Sequence, residues 1–419
     1  MTPVASAHIT MLHDELIGRL QAFLNGDSLS IAGRLFYPLC KRNINMFRRP
    51  LYSNIAPTLI GLIELVEQKH KVRFAESKQL LAFHQNKRTL GSKKFAILLA
   101  TLYREIESAL AKAYPNPKRL QVTAKHAFDD WQHRATEQTG GLRGKQAKAC
   151  ATDTERLRPL VELRQHLLKR RELFSRLVVQ GSCSTLDYTN FSDIDFLVVL
   201  KRGTVLNPQL LLRARDLIIA GRKYQDLFLP WNHHGMLTLS DIDFAFYRTT
   251  YLPLETLRLA TVFYPDDRHV VLGLIPESRE NEALRREKLL RKFRYIRNLL
   301  PRNLYELLDK MSSFLLTPSL FLARKGVLVY KRDSFRRIER FLSKQQLQML
   351  REVEQARTDW PFKPALPYAL RKFGHTLANP LLWKAMTQYC RGVHYFSIRR
   401  YERIISNINT LTDVLTRKL

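Results

Sequence analysis

Apolar residues recur every three or four positions through most of this chain, and in three short stretches they run together instead. Leu12, Leu16, Leu20 and Phe23 share one helical face, as do Leu59, Leu62, Ile63 and Val66, and again Phe95, Leu98, Leu99, Leu102 and Ile106. These periods predict an all-helical region over residues 1–126. From residue 127 to 154 the period fades into Thr139-Gly140-Gly141 and Arg143-Gly144-Lys145, which reads as a linker. A helical pattern resumes over 155–172 and feeds an apolar run at Leu173–Gln180. A second run follows at Asp193–Leu200, a helix opens at Asn207-Pro208 and reaches about Leu227, and a third strand-like run spans 235–247. Strand, helix, strand is the alternation of an α/β unit, so residues 155–275 are expected to form a core with a small mixed sheet. Beyond Pro276 the helical period returns, at Glu282–Leu300, Leu304–Leu322, Phe335–Leu342, Gln345–Arg357 and Ile398–Leu415, with Pro361, Pro364 and Pro367 as a stiff break. A C-terminal helical domain over 276–419 is expected.

The candidate chemistry lies between the first two apolar runs. In a strand, residues two apart point to the same side, so Asp193 and Asp195 would project together at one end of a buried strand. Like charges that close repel strongly where water is scarce, and a divalent cation is the usual remedy. Mg²⁺ (or Mn²⁺) takes oxygen ligands and combines one or two carboxylates with substrate phosphates, which points to a nucleoside triphosphate. Gly181 and Ser182 supply the complementary half. Glycine lets the backbone approach a phosphate, and the serine hydroxyl and neighbouring amides can donate to its oxygens.

A hydrophobic residue, Gly181-Ser182, a ten-residue spacer and then Asp193-Ile194-Asp195-Phe196 before an apolar strand resembles the nucleotidyltransferase superfamily to which DNA polymerase β belongs. The resemblance covers residues 170–265. It implies transfer of a nucleoside monophosphate from an NTP to an acceptor hydroxyl, with release of pyrophosphate. It also implies a third acid on a neighbouring strand. Residues 235–247 offer Asp241 and Asp243, and Asp243, between Ile242 and Phe244, is the first choice, with Asp241 as the alternative. Metal ligation is thus expected of Asp193, Asp195 and Asp243, and nucleotide contacts of Gly181, Ser182, Cys183 (through the amides around it) and Ser192. In the superfamily a helical domain after the sheet closes the nucleotide site and binds the acceptor. The run 325–335 resembles a segment found there, which makes Lys331 a candidate triphosphate or acceptor contact. His233-His234-Gly235 followed by Asp241-Ile242-Asp243 is similar to stretches of uncharacterised bacterial nucleotidyltransferases; being adjacent on a strand, the two histidines would not share a metal.

Composition alters this picture in three respects. The formal net charge of +31 attracts polyanions, which makes RNA or tRNA a candidate acceptor beside a small molecule, a sugar or a protein hydroxyl. It equally suits a second reading, in which a catalytically inactive transferase fold binds RNA or nucleotide through basic helices. Cys40, Cys150, Cys183 and Cys390 have no paired spacing, so neither a disulfide framework nor a zinc site is expected, and Cys183 reads as a small buried filler. No apolar run has the length of a membrane span and Met1–Met11 lacks the features of a secretory signal, so a cytoplasmic location is expected.

Overall fold

The structure, a computed structural model, describes residues 3–25, 92–133, 145–186, 188, 192, 194–228, 235–249, 252–276, 279–301, 304–327, 329, 331–358 and 401–419. It is a mixed α/β fold, mostly helical, with a small mixed sheet. The described residues up to Pro276 form one compact unit and those from Arg279 onward a second.

The first unit runs α1 (Pro3–Leu24), α2 (Ser92–Ala113), β1 (Lys118–Thr123), β2 (His126–Ala127), α3 (Lys145–Leu168), β3 (Phe174–Gln180), α4 (Gly181–Thr185), β4 (Asp195–Leu200), α5 (Pro208–Phe228), β5 (Leu237–Ser240), α6 (Asp241–Ala245), α7 (Leu254–Arg258), β6 (Thr261–Tyr264) and β7 (His269–Leu274). Among the described residues its sheet has five strands in the order β2-β6-β3-β4-β5; β3 lies antiparallel to both β4 and β6, and β4 parallel to β5. A separate ribbon pairs β1 with β7.

Both faces of the sheet are covered, which is why Leu177–Val179 of β3 and Phe196–Leu200 of β4 read as continuous apolar runs rather than as alternation. Leu177, Val179, Phe196, Val198 and Leu200 face a core shared with α1, α2, α3 and α5. Val178, Leu197, Val199 and Leu239 face the other way, toward Val122 of β1, Val270 and Leu272 of β7, Phe244 of α6 and Leu257 of α7.

Among the described residues of 1–126, α1 and α2 are therefore not part of a separate helical domain. Ile9, Leu12, Leu16, Leu20 and Phe23 of α1, and Phe95, Leu99, Leu102 and Ile106 of α2, belong to the core that buries the sheet. Polar clamps hold α1 there. The Asn25 side chain accepts from Met236 N and donates to Met236 O, both at 2.8 Å, and the Arg222 guanidinium donates to Asn25 O at 2.9 Å. The expected linker 127–154 is corrected in part as well, since α3 already begins at Lys145.

The second unit comprises α8 (Arg279–Asn298), α9 (Leu304–Phe314), α10 (Thr317–Arg324), α11 (Lys331–Arg337), α12 (Lys344–Thr358) and α13 (Glu402–Arg417). Its core gathers Phe293, Ile296, Leu307, Met311, Phe314, Phe321, Val353, Ile408 and Leu411. The single helix expected over 304–322 is two, because Pro318 starts a new one at N1/N2.

Within that core lies a cation. Lys310 is buried, and its Nζ donates to Leu299 O and Asn409 Oδ1, each at 2.7 Å, tying the chain after α8 to α9 and α13. Burial pulls its pKa down from the usual 10.5 to about 8. Between those two values the unfolded chain holds a proton that the folded chain has released, so this lysine adds stability as pH rises through that window. Urea unfolding at pH 7.5 and 9.5 should therefore show a midpoint gain in the wild type that shrinks in Lys310→Met. An equal gain in both would remove Lys310 as its source.

Among the described residues no helix is long and apolar enough to cross a membrane.

Candidate active site

β3 ends at Gln180, and the chain turns at once into α4. Gly181 makes this possible with a φ of +70°, a left-handed conformation that L side chains rarely adopt. The turn closes on Leu186, also left-handed at φ 58°. Two such residues within six positions mark a backbone held in place by its surroundings. Those surroundings are specific. The Ser184 hydroxyl donates to Leu259 O at 2.7 Å and lies 2.9 Å from Thr261 Oγ1, while Trp131 Nε1 donates to Cys183 O at 3.0 Å. The Cys183 side chain is fully buried in the apolar core, so the thiol is packing and any nucleotide contact there falls to the backbone.

Asp195 opens β4 directly opposite Gln180, in antiparallel register. It lies on the same face of the sheet as Leu197 and Val199, and Gln180 shares that face with Val178. The Asp195 carboxylate rests on the turn: a Cβ placed on Gly181 would meet Asp195 Oδ2 at 2.3 Å. The glycine is thus required twice, once by its own backbone and once by the acid above it.

The backbone just before Asp195 has a support that sequence reasoning missed. Gln225 of α5, 1% exposed, donates from Nε2 to Ile194 O at 3.4 Å. A lone glutamine on an amphipathic helix gives no sequence signal of this role. Ser192 is buried beside the same segment. Asp193, His233 and His234 lie outside the described residues, as does the Lys331 side chain; Lys331 itself opens α11 of the second unit.

The third carboxylate is a correction. The run 235–247 is not one strand: β5 stops at Ser240, and Asp241 begins α6. Ser240 accepts at its Oγ from Asp243 N (3.4 Å), and Asp243 Oδ2 accepts from Ser240 N (2.6 Å) and Ser240 Oγ (2.8 Å), a reciprocal capping box. Because β4 and β5 are parallel, Ser240 lies abreast of Leu200, at the far end of β4 from Asp195. Five residues of strand separate the two ends, about 16 Å. Asp243 therefore cannot share a cation with Asp195. Its other oxygen accepts from His13 Nε2 of α1 at 2.7 Å, in a setting where both side chains are 1% exposed. Asp241 is no substitute, since its Oδ2 accepts from Arg202 N at 3.0 Å at that same far end.

The described donors thus do not fit a cation shared between Asp195 and Asp243. Among the described residues no group of three His, Cys, Asp or Glu side chains is placed to hold a metal. Comparison of the chain with protein-family models, with curated proteins and with solved structures gives no match.

Proposed function

We propose that the end of β3, the α4 turn and the start of β4 form the triphosphate site of a metal-dependent nucleotidyltransferase. The observation that carries this reading is Asp195 Oδ2 seated over the left-handed Gly181, because it joins a carboxylate to a turn with no side chain in the way. Gly181 lets the Asp195 carboxylate sit directly against the turn, and Ser182, half-buried there, offers a hydroxyl to the departing phosphates. Ser184, Trp131 and Gln225 hold the turn and the Asp195 backbone in place, so the phosphates meet donors that need no rearrangement. A divalent cation held by Asp195 and its sequence neighbour Asp193 would neutralise the triphosphate. The reaction is transfer of a nucleoside monophosphate to an acceptor hydroxyl with loss of pyrophosphate.

The net charge of +31 and the exposed Arg294, Arg336, Arg337 and Arg340 of the second unit favour a polyanionic acceptor such as RNA over a neutral small molecule. One observation favours a second reading, a nucleotide or RNA binder without transfer: Asp241 and Asp243 are both committed at the other end of the sheet.

The two separate in one experiment. The full chain is incubated with each labelled NTP, Mg²⁺ or Mn²⁺ and a cell extract, and the labelled product is sized while pyrophosphate is measured. Metal-dependent pyrophosphate release with a labelled product is expected. RNA affinity that falls steeply with salt, with no pyrophosphate under any condition, would replace the transferase by the binder.

A further inference from the structure

We propose that the side-chain amide oxygen of Gln180 is a cation ligand beside Asp195, an oxygen supplied from β3 where β5 supplies none. The proposal rests on the reading of this site as a metal–triphosphate site.

Three observations carry it. First, Gln180 is 7% exposed, and its Oε1 is buried without a hydrogen-bond partner. An orphaned buried acceptor is costly, and a native fold rarely tolerates one without use. Second, Gln180 and Asp195 are register partners on the same face. Side chains so paired have Cβ atoms roughly 4.5–5.5 Å apart, which lets two oxygens converge on a cation at about 2.1–2.4 Å from each. Third, the expected third carboxylate is held away by Ser240 and His13.

The chemistry is consistent with a hard divalent cation, for which neutral amide oxygens are ordinary ligands. A neutral amide donor in place of a carboxylate also lowers the negative charge that would otherwise face an incoming triphosphate. The site would then lean on the nucleotide to complete its charge balance, and bare-metal affinity would be modest.

The test is Mn²⁺ binding to the full chain without nucleotide, by isothermal titration and by the loss of the free-ion paramagnetic resonance signal, with thermal melts as a folding control. Gln180→Leu is expected to weaken Mn²⁺ about tenfold, while Gln180→Glu, which adds a charge to the same oxygen position, is expected to tighten it. If Gln180→Leu is unstable, Gln180→Glu alone decides, and affinity equal to or weaker than wild type would overturn the proposal. Wild-type affinity in folded Gln180→Leu together with loss in Asp195→Asn would remove Gln180 as a ligand and leave the metal site standing. Unchanged binding in Asp195→Asn, or none in the wild type, would sink the metal reading itself.

Discussion

Substituting Ala for Gly181 is expected to lower nucleotide transfer about a hundredfold while leaving the chain folded. Two costs fall on one methyl group. The backbone must hold an L residue at φ +70°, roughly 1–2 kcal/mol. The new Cβ would also stand 2.3 Å from Asp195 Oδ2, far inside contact distance, so the carboxylate must move. A displacement of about 1 Å in a group that positions substrate costs on the order of 10²-fold in rate. Stability changes little by comparison, since Asp195 is only half-buried. The pair of measurements is pyrophosphate release and a thermal melt. Turnover within twofold of wild type would show that Asp195 does no chemistry over this turn.

The opposite pattern is expected at Asp243. Asp243→Ala removes the capping box of α6 and strands His13 Nε2 and Ser240 N in a buried setting. Breaking a buried pair from one side costs about 3–5 kcal/mol, a large share of the roughly 5–15 kcal/mol by which a domain is stable. Asp243→Asn keeps an oxygen for the Ser240 amide and should cost less, about 1–2 kcal/mol. Neither variant should alter Mn²⁺ affinity in molecules that remain folded, because the carboxylate lies at the wrong end of β4. Urea midpoints and Mn²⁺ titration of Asp243→Asn give the answer. A stable Asp243→Asn protein that has lost its Mn²⁺ would return Asp243 to the metal site and refute the register-based placement.

The contrast between these two residues shows what local pattern can and cannot carry. Gly181, Ser182 and Asp195 are close in sequence and lie on either side of one turn, so spacing alone brings them together. Read as one apolar strand, residues 235–247 put Asp241 and Asp243 on one face, with Asp243 between Ile242 and Phe244, and so place Asp243 in the site. The capping signature Ser240-x-x-Asp243 was present in the same letters and competed with that reading. A reciprocal cap satisfies backbone groups that continued pairing beyond Ser240 would have required a partner for, and β4 has already ended at Leu200.

By itself the sequence determined the amphipathic helices α1, α2 and α5, the two apolar strands β3 and β4, and the glycine turn between them, because each depends on side-chain period or backbone freedom within a few residues. Only the tertiary structure decided that α1 and α2 close the sheet's core rather than form their own domain, that Lys118–Thr123 is a strand by virtue of pairing with His269–Leu274, and that Gln180 faces Asp195 while Asp243 does not. Those outcomes depend on which strand lies beside which, and in which direction. Pairings across tens to hundreds of residues are fixed by burying both faces of one sheet at once, a condition that no local stretch of sequence can express.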